Sequence, residues 1–272
     1  MDLNTVQEIV AGERAAVDGW QPGDAWLAGG TWLFSEPQPE VRRLVDLTAF
    51  AWPALTASGD GLELAATCTF AELARWPRPR RWPATVLIPQ CCDALLGSFK
   101  VRNTATVGGN LCLALPAGPM ISLAVALDGV CTVWGRNAET RSLSARELIL
   151  GPGESALAPG ALLRSLLLPD AALRCTTAFR RFSLSPLGRS AVVVIGRAAP
   201  AGGEVLITVT ASVPRPAQLR FDRMPSVHEL RDALDEAQLE FYDDVHGDPG
   251  WREHLTRMYA EEVRGELIRE RR

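Results

Sequence analysis

The sequence predicts an α+β protein, and three observations support that fold class. Short apolar strands and short helices follow one another without the regular β-α-β-α alternation of a doubly wound sheet. Ser or Thr followed three residues later by Glu, the capping box that opens a helix, recurs along the chain. After Pro169 the pattern changes to two β-rich runs and then to helices. We therefore expect two domains, residues 1–172 and 173–272.

The first part of the chain is expected to begin with a helix and to continue with short strands. Thr5 and Glu8 form a capping box for a helix that would run toward residue 15. Apolar runs or alternation predict the strands that follow. These expected strands are residues 26–27, residues 44–47 and the alternating Leu62, Leu64 and Ala66.

Caps and breakers delimit the remaining elements. Capping boxes at Thr69/Glu72, Ser144/Glu147 and Ser226/Glu229 open three helices, and the first of these ends before the prolines at 77, 79 and 83. A short buried helix is expected at 120–127, and a last helix starts at Asp248 and Pro249. The expected strands are 130–134, 162–168 and an antiparallel pair, 191–195 and 205–213, joined by a turn at Gly202.

Composition excludes several classes of protein. The 272 residues carry a net charge of -4, which gives no reason to expect nucleic-acid binding. The sequence has no run of 18 apolar residues and no apolar signal-peptide core near its start, so we expect no membrane span and a cytoplasmic location. Its six cysteines show no CxxC spacing. A redox role would therefore require an organic cofactor.

Two glycine pairs are candidates for binding a phosphate group. They lie in AGGTWL, residues 28–33, and in RNTATVGGNL, residues 102–111. Glycine adopts positive φ without strain and lets a ligand lie against backbone N–H groups. We expect each pair to lie in a turn. Neither segment matches a P-loop or a Rossmann GxGxxG motif, so the hypothesis is one diphosphate held between two loops.

RNTATVGGNL closely resembles the second flavin-binding signature of the FAD-binding subunits of molybdenum hydroxylases, the xanthine dehydrogenase and aerobic carbon monoxide dehydrogenase family. AGGTWL resembles the first signature, and the two occur in the family's order. Other segments are similar too: residues 44–50, 62–74, 159–169 and 246–267. The resemblance implies a two-lobed PCMH-type FAD-binding domain, followed by a small antiparallel sheet with helices like the C-terminal domain of the carbon monoxide dehydrogenase flavoprotein.

The resemblance also implies a set of FAD-binding residues. They are Ala28, Gly29, Gly30, Thr31, Trp32, Leu33, Ala105, Thr106, Gly108, Gly109 and Asn110. One departure concerns Pro119, nine positions after Asn110, where many family members carry an acidic residue that binds a ribose hydroxyl. The residue that faces the isoalloxazine ring is not evident, and the segment 179–190 is a candidate.

The function that the resemblance implies is electron transfer within a larger enzyme. Such a subunit takes electrons from a [2Fe-2S] small subunit, which receives them from a molybdenum-cofactor large subunit, and passes them to an external acceptor. The sequence shows no constellation of catalytic residues or metal ligands, which fits a chain whose chemistry comes from FAD. Two alternatives remain: a stand-alone flavin oxidoreductase and a flavin-free scaffolding subunit.

Overall fold

The computed structural model describes residues 3–186 and 188–270. The described strands are β1 Glu8–Ala11, β2 Asp24–Leu27, β3 Arg43–Asp46, β4 Leu55–Ala57, β5 Gly61–Ala65, β6 Val130–Trp134, β7 Thr140–Ser144, β8 Ile149–Gly151, β9 Glu154–Ser155, β10 Leu162–Pro169, β11 Thr176–Phe182, β12 Val192–Ala198, β13 Val205–Thr210 and β14 Ala217–Phe221. The described α-helices are α1 Arg14–Asp18, α2 Phe70–Arg75, α3 Leu87–Asp93, α4 Phe99–Arg102, α5 Val107–Cys112, α6 Pro119–Ala126, α7 Ala145–Leu148, α8 Asp170–Leu173, α9 Val227–Glu236 and α10 Pro249–Glu270.

The first part of the chain builds two larger sheets and a small hairpin. Strands β1, β3 and β2 form a parallel sheet in that order, with β3 in the centre. Strands β4, β5, β10, β6 and β7 form an antiparallel sheet, in which β10 is central. The ribbon β8-β9 is separate. Short helices pack on the five-stranded sheet, and their apolar side chains fill the largest core cluster.

The last hundred residues form a four-stranded antiparallel sheet in the order β11-β12-β13-β14. The long helix α10 packs against β12 and β11. Gly196 makes this close approach possible, because a Cβ at that position would lie 2.2 Å from the Val263 side chain. The fold is therefore α+β, as predicted. The division into two domains at residue 172 stays a prediction.

Helix α6 joins the two parts of the chain. All eight of its residues are buried, and it packs against β12 and β13 as well as against α3, α5 and α7. The hydroxyls of Ser122 and Thr210 are hydrogen-bonded at 2.6 Å. Beyond the helix, Asp128 accepts hydrogen bonds from Arg197 at 2.6 Å and from Arg220. The sheet after residue 175 is thus fixed against the first part by a buried helix and an ionic network.

The predicted first helix is wrong. Residues 8–11 form strand β1, which pairs in parallel with β3, and helix α1 begins only at Arg14. Instead of capping a helix, the Thr5 hydroxyl donates to the Gln38 carbonyl at 3.2 Å. The β-branched pair Ile9 and Val10 favours the strand, and pairing with β3 decides the outcome.

The turn predicted for the glycine pair in residues 102–111 does not form. Helix α4 and helix α5 flank a short connection, and Gly108 and Gly109 lie inside α5. Neither glycine has positive φ. Thr106 explains the difference, because its hydroxyl accepts the Gly109 N–H at 3.1 Å and so caps the helix.

Most of the other predicted elements are confirmed. All three capping boxes form, at Thr69, Ser144 and Ser226. The predicted strands correspond to β2, β3, β5, β6, β10, β12 and β13, with ends that differ by a few residues, and the buried helix corresponds to α6. Strands β11 and β14 were not predicted, because their burial comes from their neighbours in the sheet rather than from a clear alternation.

We expect Asp128→Asn to lower the free energy of unfolding by about 1–3 kcal/mol at pH 7, because it removes the carboxylate that pairs with two guanidinium groups. Asn keeps the shape and tolerates the positive φ of 48° found there. Urea unfolding measures the change, and Asp222→Asn is the control because Asp222 is exposed and has no partner among the described residues.

The contribution of the Asp128 carboxylate to the free energy of unfolding should depend on pH. Burial raises the pKa of Asp128, but hydrogen bonds and charges from Arg220 and Arg197 outweigh it, so the net pKa is lowered. The stabilisation is present above the unfolded-state pKa of about 4 and is lost as the pH falls through the folded-state value. An Asp128→Asn variant with unchanged stability at pH 7 would contradict this account.

Candidate functional site

A cavity of about 630 Å³ lies where the two glycine segments meet. Its walls come from the loop after β2, from residues 94–96 that follow α3, from helices α4 and α5 and the connection between them, from residues 113–119 and, among the described residues of the last hundred, from Arg189. Ten of the eleven predicted binding residues line it: Ala28, Gly29, Gly30, Thr31, Trp32, Leu33, Ala105, Thr106, Gly109 and Asn110. Their role in FAD binding stays a prediction.

Strand β2 delivers the first glycine pair to the cavity. Gly30 has φ of +67°, as expected for a glycine turn, and its carbonyl accepts the Phe34 N–H at 2.9 Å. Within the described structure, none of the N–H groups of residues 29–33 donates to a protein acceptor. The loop therefore presents successive unpaired backbone donors beside the cavity, an arrangement that suits phosphate oxygens.

The two glycine segments touch each other directly. A Cβ at Gly29 would lie 1.6 Å from the Thr104 carbonyl oxygen, a distance that no side chain permits. Gly29 thus fixes how closely the first loop approaches the second. Arg102 stabilises the segment that carries Thr104. Its guanidinium donates to Asp93 Oδ1 at 2.8 Å and so connects α4 to the end of α3.

The second side of the cavity supplies a different set of donors. The backbone N–H groups of Gly108, Gly109 and Asn110 already donate within the protein, to Ala66, to the Thr106 hydroxyl and to the Thr106 carbonyl. The donors on this side that have no acceptor in the described structure include the hydroxyl hydrogen of Thr106 and the side-chain NH₂ of Asn110. Asn110 is held in place because its Oδ1 accepts the Met120 N–H at 2.9 Å.

Gly108 and Gly109 have different roles. Gly108 does not line the cavity; a Cβ there would lie 2.5 Å from the Ala66 Cβ, so this glycine permits α5 to pack on the end of β5. Gly109 lines the cavity, and its nearest neighbour for an added Cβ is Thr106 Oγ1 at 3.0 Å. The adjacent glycines thus separate into one that serves packing and one that leaves room for a ligand.

Most of the remaining cavity wall is apolar. The apolar lining residues include Leu95, Leu96, Val101, Leu113 and Leu115, and Trp32 and Leu96 are exposed as well as part of the wall. Cys112 also lines the wall, and burial raises the pKa of its thiol to about 12. It is therefore protonated at neutral pH and is not a nucleophile. An apolar surface of this kind suits a flat ring system.

Two residues modify the expected site. Pro119 lines the cavity at the position where the family resemblance implies a ribose-binding acid, and its ring carries no acceptor for a hydroxyl. Arg189 belongs to the segment 179–190 that was expected near the isoalloxazine ring, and among the described residues of that segment it is the one that lines the cavity. Its contribution was missed because a lone arginine in a loop carries no sequence motif.

The described cavity wall is poor in the side chains that usually act as general acids or bases. The described cavity wall holds no carboxylate and no histidine. Across residues 3–186 and 188–270, no group of three or more His, Cys, Asp or Glu side chains could hold a metal ion. Nor does any helix in these ranges combine the length and hydropathy needed to cross a bilayer. The donors and the apolar wall instead fit an elongated ligand with a phosphate centre, as in a dinucleotide cofactor.

The sequence matches a family of domains that bind such a dinucleotide cofactor. Residues 4–171 match the family described as the FAD binding domain in molybdopterin dehydrogenase. The match extends over more than half of the chain, so the chain is a member of that family. FAD is thus confirmed as its cofactor, and the predicted relation to the molybdenum hydroxylases is confirmed with it.

Solved structures show the same fold. A chain of quinoline 2-oxidoreductase from Pseudomonas putida 86 superimposes with a TM-score of 0.84 at 20% identity, covering 100% of this chain and 99% of that one. A chain of carbon monoxide dehydrogenase from Hydrogenophaga pseudoflava gives a TM-score of 0.80 at 18% identity, with 97% of each chain covered. The similarity therefore includes the four-stranded sheet that follows the family match.

Sequence relatives are found among plant enzymes. Xanthine dehydrogenase from Oryza sativa subsp. japonica is 27% identical over 121 residues, which is 42% of this chain and 9% of that protein. Xanthine dehydrogenase 1 from Arabidopsis thaliana is 26% identical over 122 residues, 43% of this chain and again 9% of the relative. This chain thus corresponds to a small part of these larger proteins.

The two glycines of α5 give a matched pair of variants. We expect Gly109→Ala to weaken FAD binding at least about tenfold because its methyl group enters the cavity, while helix propensity keeps the unfolding free energy within about 1 kcal/mol of the original. Gly108→Ala should instead destabilise the fold by about 1–3 kcal/mol through overpacking against Ala66.

Urea unfolding of the FAD-free protein and titration with FAD measure the two effects separately. Gly109→Ala with undiminished FAD affinity would contradict the assignment of Gly109 to the cavity wall. Equal destabilisation by both substitutions would contradict the separation of roles.

Proposed function

We propose that this chain is the FAD-binding electron-transfer subunit of a molybdenum hydroxylase. In this role it accepts electrons from a [2Fe-2S] small subunit and passes them to an external acceptor, while substrate is oxidised on a molybdenum-cofactor large subunit. Bound FAD supplies the reversible electron transfer, since the flavin exchanges electrons in steps of one or two. Residues 1–172 would form the FAD-binding domain and residues 173–272 the C-terminal domain.

The observation that carries the proposal is the meeting of two distant glycine segments at one cavity. Gly29 lies against the Thr104 carbonyl, 75 positions along the chain, and residues with unpaired donors line the cavity on both sides of this contact. The backbone N–H groups of residues 29–33 would hold one side of the FAD diphosphate. The Thr106 hydroxyl and the Asn110 amide would hold the other side.

Each of these donors has a physical reason to bind an anion. A buried phosphate oxygen left without a hydrogen bond costs about 1–3 kcal/mol or more, so a dinucleotide needs a row of fixed donors. The loop after β2 is fixed by its contact with Thr104, and Asn110 is fixed by the Met120 N–H. Donors that are ordered before the ligand arrives lose less entropy on binding.

The character of the walls favours electron transfer over substrate oxidation on this chain. The described wall residues include no carboxylate or histidine to move a proton to or from a substrate. The apolar surface formed by Leu95, Leu96 and Val101 instead offers contact area to a ring system. A stand-alone oxidoreductase that removes a proton from its substrate would need an acid or base beside the flavin.

We expect the purified full-length chain to show flavin absorption bands at about one FAD per chain, either as isolated or after incubation with excess FAD and removal of the unbound fraction. A colourless chain that does not take up FAD would favour the flavin-free scaffolding alternative, in which Pro119 reflects a lost ribose contact.

The partner assignment requires a separate measurement. The native complex purified through a tag on this chain should contain iron and molybdenum together with FAD, and the isolated FAD-loaded chain should not oxidise substrates that the complex oxidises. Substrate oxidation by the isolated chain would support the stand-alone oxidoreductase instead. A cytoplasmic location stays a prediction.

A further inference from the structure

The charge of the cavity is carried by one residue. Among the described residues that line it, Arg189 is the single ionisable side chain that is charged at neutral pH. A bound FAD brings two negative charges in its diphosphate, and hydrogen bonds from neutral backbone groups leave that net charge uncompensated. Arg189 is therefore the available counter-charge within the cavity wall.

Arg189 has no competing partner among the described residues. Three other arginines of low exposure, by contrast, pair with carboxylates: Arg43 with Asp24 at 2.6 Å, Arg180 with Glu262 at 2.6 Å, and Arg197 with Asp128 at 2.6 Å. No carboxylate or carbonyl in the described structure accepts a hydrogen bond from the Arg189 guanidinium. Arg189 is partly buried as a residue, and its guanidinium is free to receive a ligand.

The backbone around Arg189 is held in place from both sides. The Arg181 guanidinium donates to the Ser190 hydroxyl at 2.7 Å and to the Gly188 carbonyl. Ser190 is buried, and the next residue, Ala191, donates its N–H to the Phe182 carbonyl at 2.8 Å. The side chain of Arg189 thus starts from a fixed point, which reduces the entropy lost when it binds an anion.

We propose that Arg189 pairs with the diphosphate of bound FAD, so that the C-terminal domain supplies the positive charge and the first domain supplies the neutral donors. This inference rests on the proposed function, since it assumes that the cavity holds FAD. It makes Arg189 a binding residue that selects a dinucleotide over an uncharged flavin. Charge-assisted hydrogen bonds to phosphate are stronger than neutral ones, and arginine is suited to form two in parallel.

The test uses the full-length chain freed of FAD and measures dissociation constants for FAD and for riboflavin, which lacks phosphate. Arg189→Gln should weaken FAD binding on the order of tenfold to a hundredfold at low salt and change riboflavin binding little. Arg189→Lys should retain most of the affinity. Raising the salt concentration should bring the original chain and the Gln variant closer together, because salt screens the charge.

Arg215→Gln is the matched control, because Arg215 is exposed and lies outside the cavity wall, so it removes the same net charge elsewhere. It should leave both dissociation constants unchanged. Thermal unfolding of each FAD-free variant shows whether the fold is intact.

Three results would overturn the inference. In the first, Arg189→Gln binds FAD as tightly as the original chain. In the second, it loses FAD and riboflavin affinity equally, which means that the side chain packs against the flavin rather than pairing with phosphate. In the third, the FAD affinity of Arg189→Gln is unchanged while its flavin midpoint potential falls, which means that the Arg189 charge lies beside the isoalloxazine ring rather than the diphosphate. If the original chain itself binds no FAD, the proposed function fails first and this inference falls with it.

Discussion

The contact between Gly29 and Thr104 is the constraint on which the site depends. A Cβ at Gly29 would lie 1.6 Å from the Thr104 carbonyl oxygen, so only glycine allows these two segments to meet. Strand β2 brings Gly29 to this point, and the Arg102 contact with Asp93 stabilises the opposite side. The cavity exists because two segments that are distant in sequence approach to within backbone contact.

The two sides of the cavity provide donors by different physical means. After β2, a turn with positive φ at Gly30 leaves successive backbone N–H groups without protein acceptors. In α5, the helix and its contact with Ala66 use the N–H groups, so side chains of Thr106 and Asn110 supply the donors instead. The adjacent glycines thus lie in a helix rather than in a turn; Gly108 permits close packing on Ala66, and Gly109 lines the cavity.

The buried helix α6 connects this site to the last hundred residues. It packs between the helices next to the cavity and strands β12 and β13, and the Asp128 network fixes its end to the four-stranded sheet. Near the cavity, the Ala211 N–H donates to the Pro116 carbonyl at 3.0 Å. These contacts explain how Arg189, far along the chain, forms part of the same wall as Gly29 and Asn110.

The sequence by itself determined the α+β class, the three capping boxes, the buried strands, the family and the two cavity-lining segments, because caps, apolar runs and a ten-residue motif are local properties. Tertiary structure decided the rest. Residues 8–11 form a strand because they can pair with β3. Gly108 serves packing because Ala66 lies directly against it. Arg189 joined the site through the packing of the four-stranded sheet on α6, and such long-range contacts leave no pattern in the neighbouring residues.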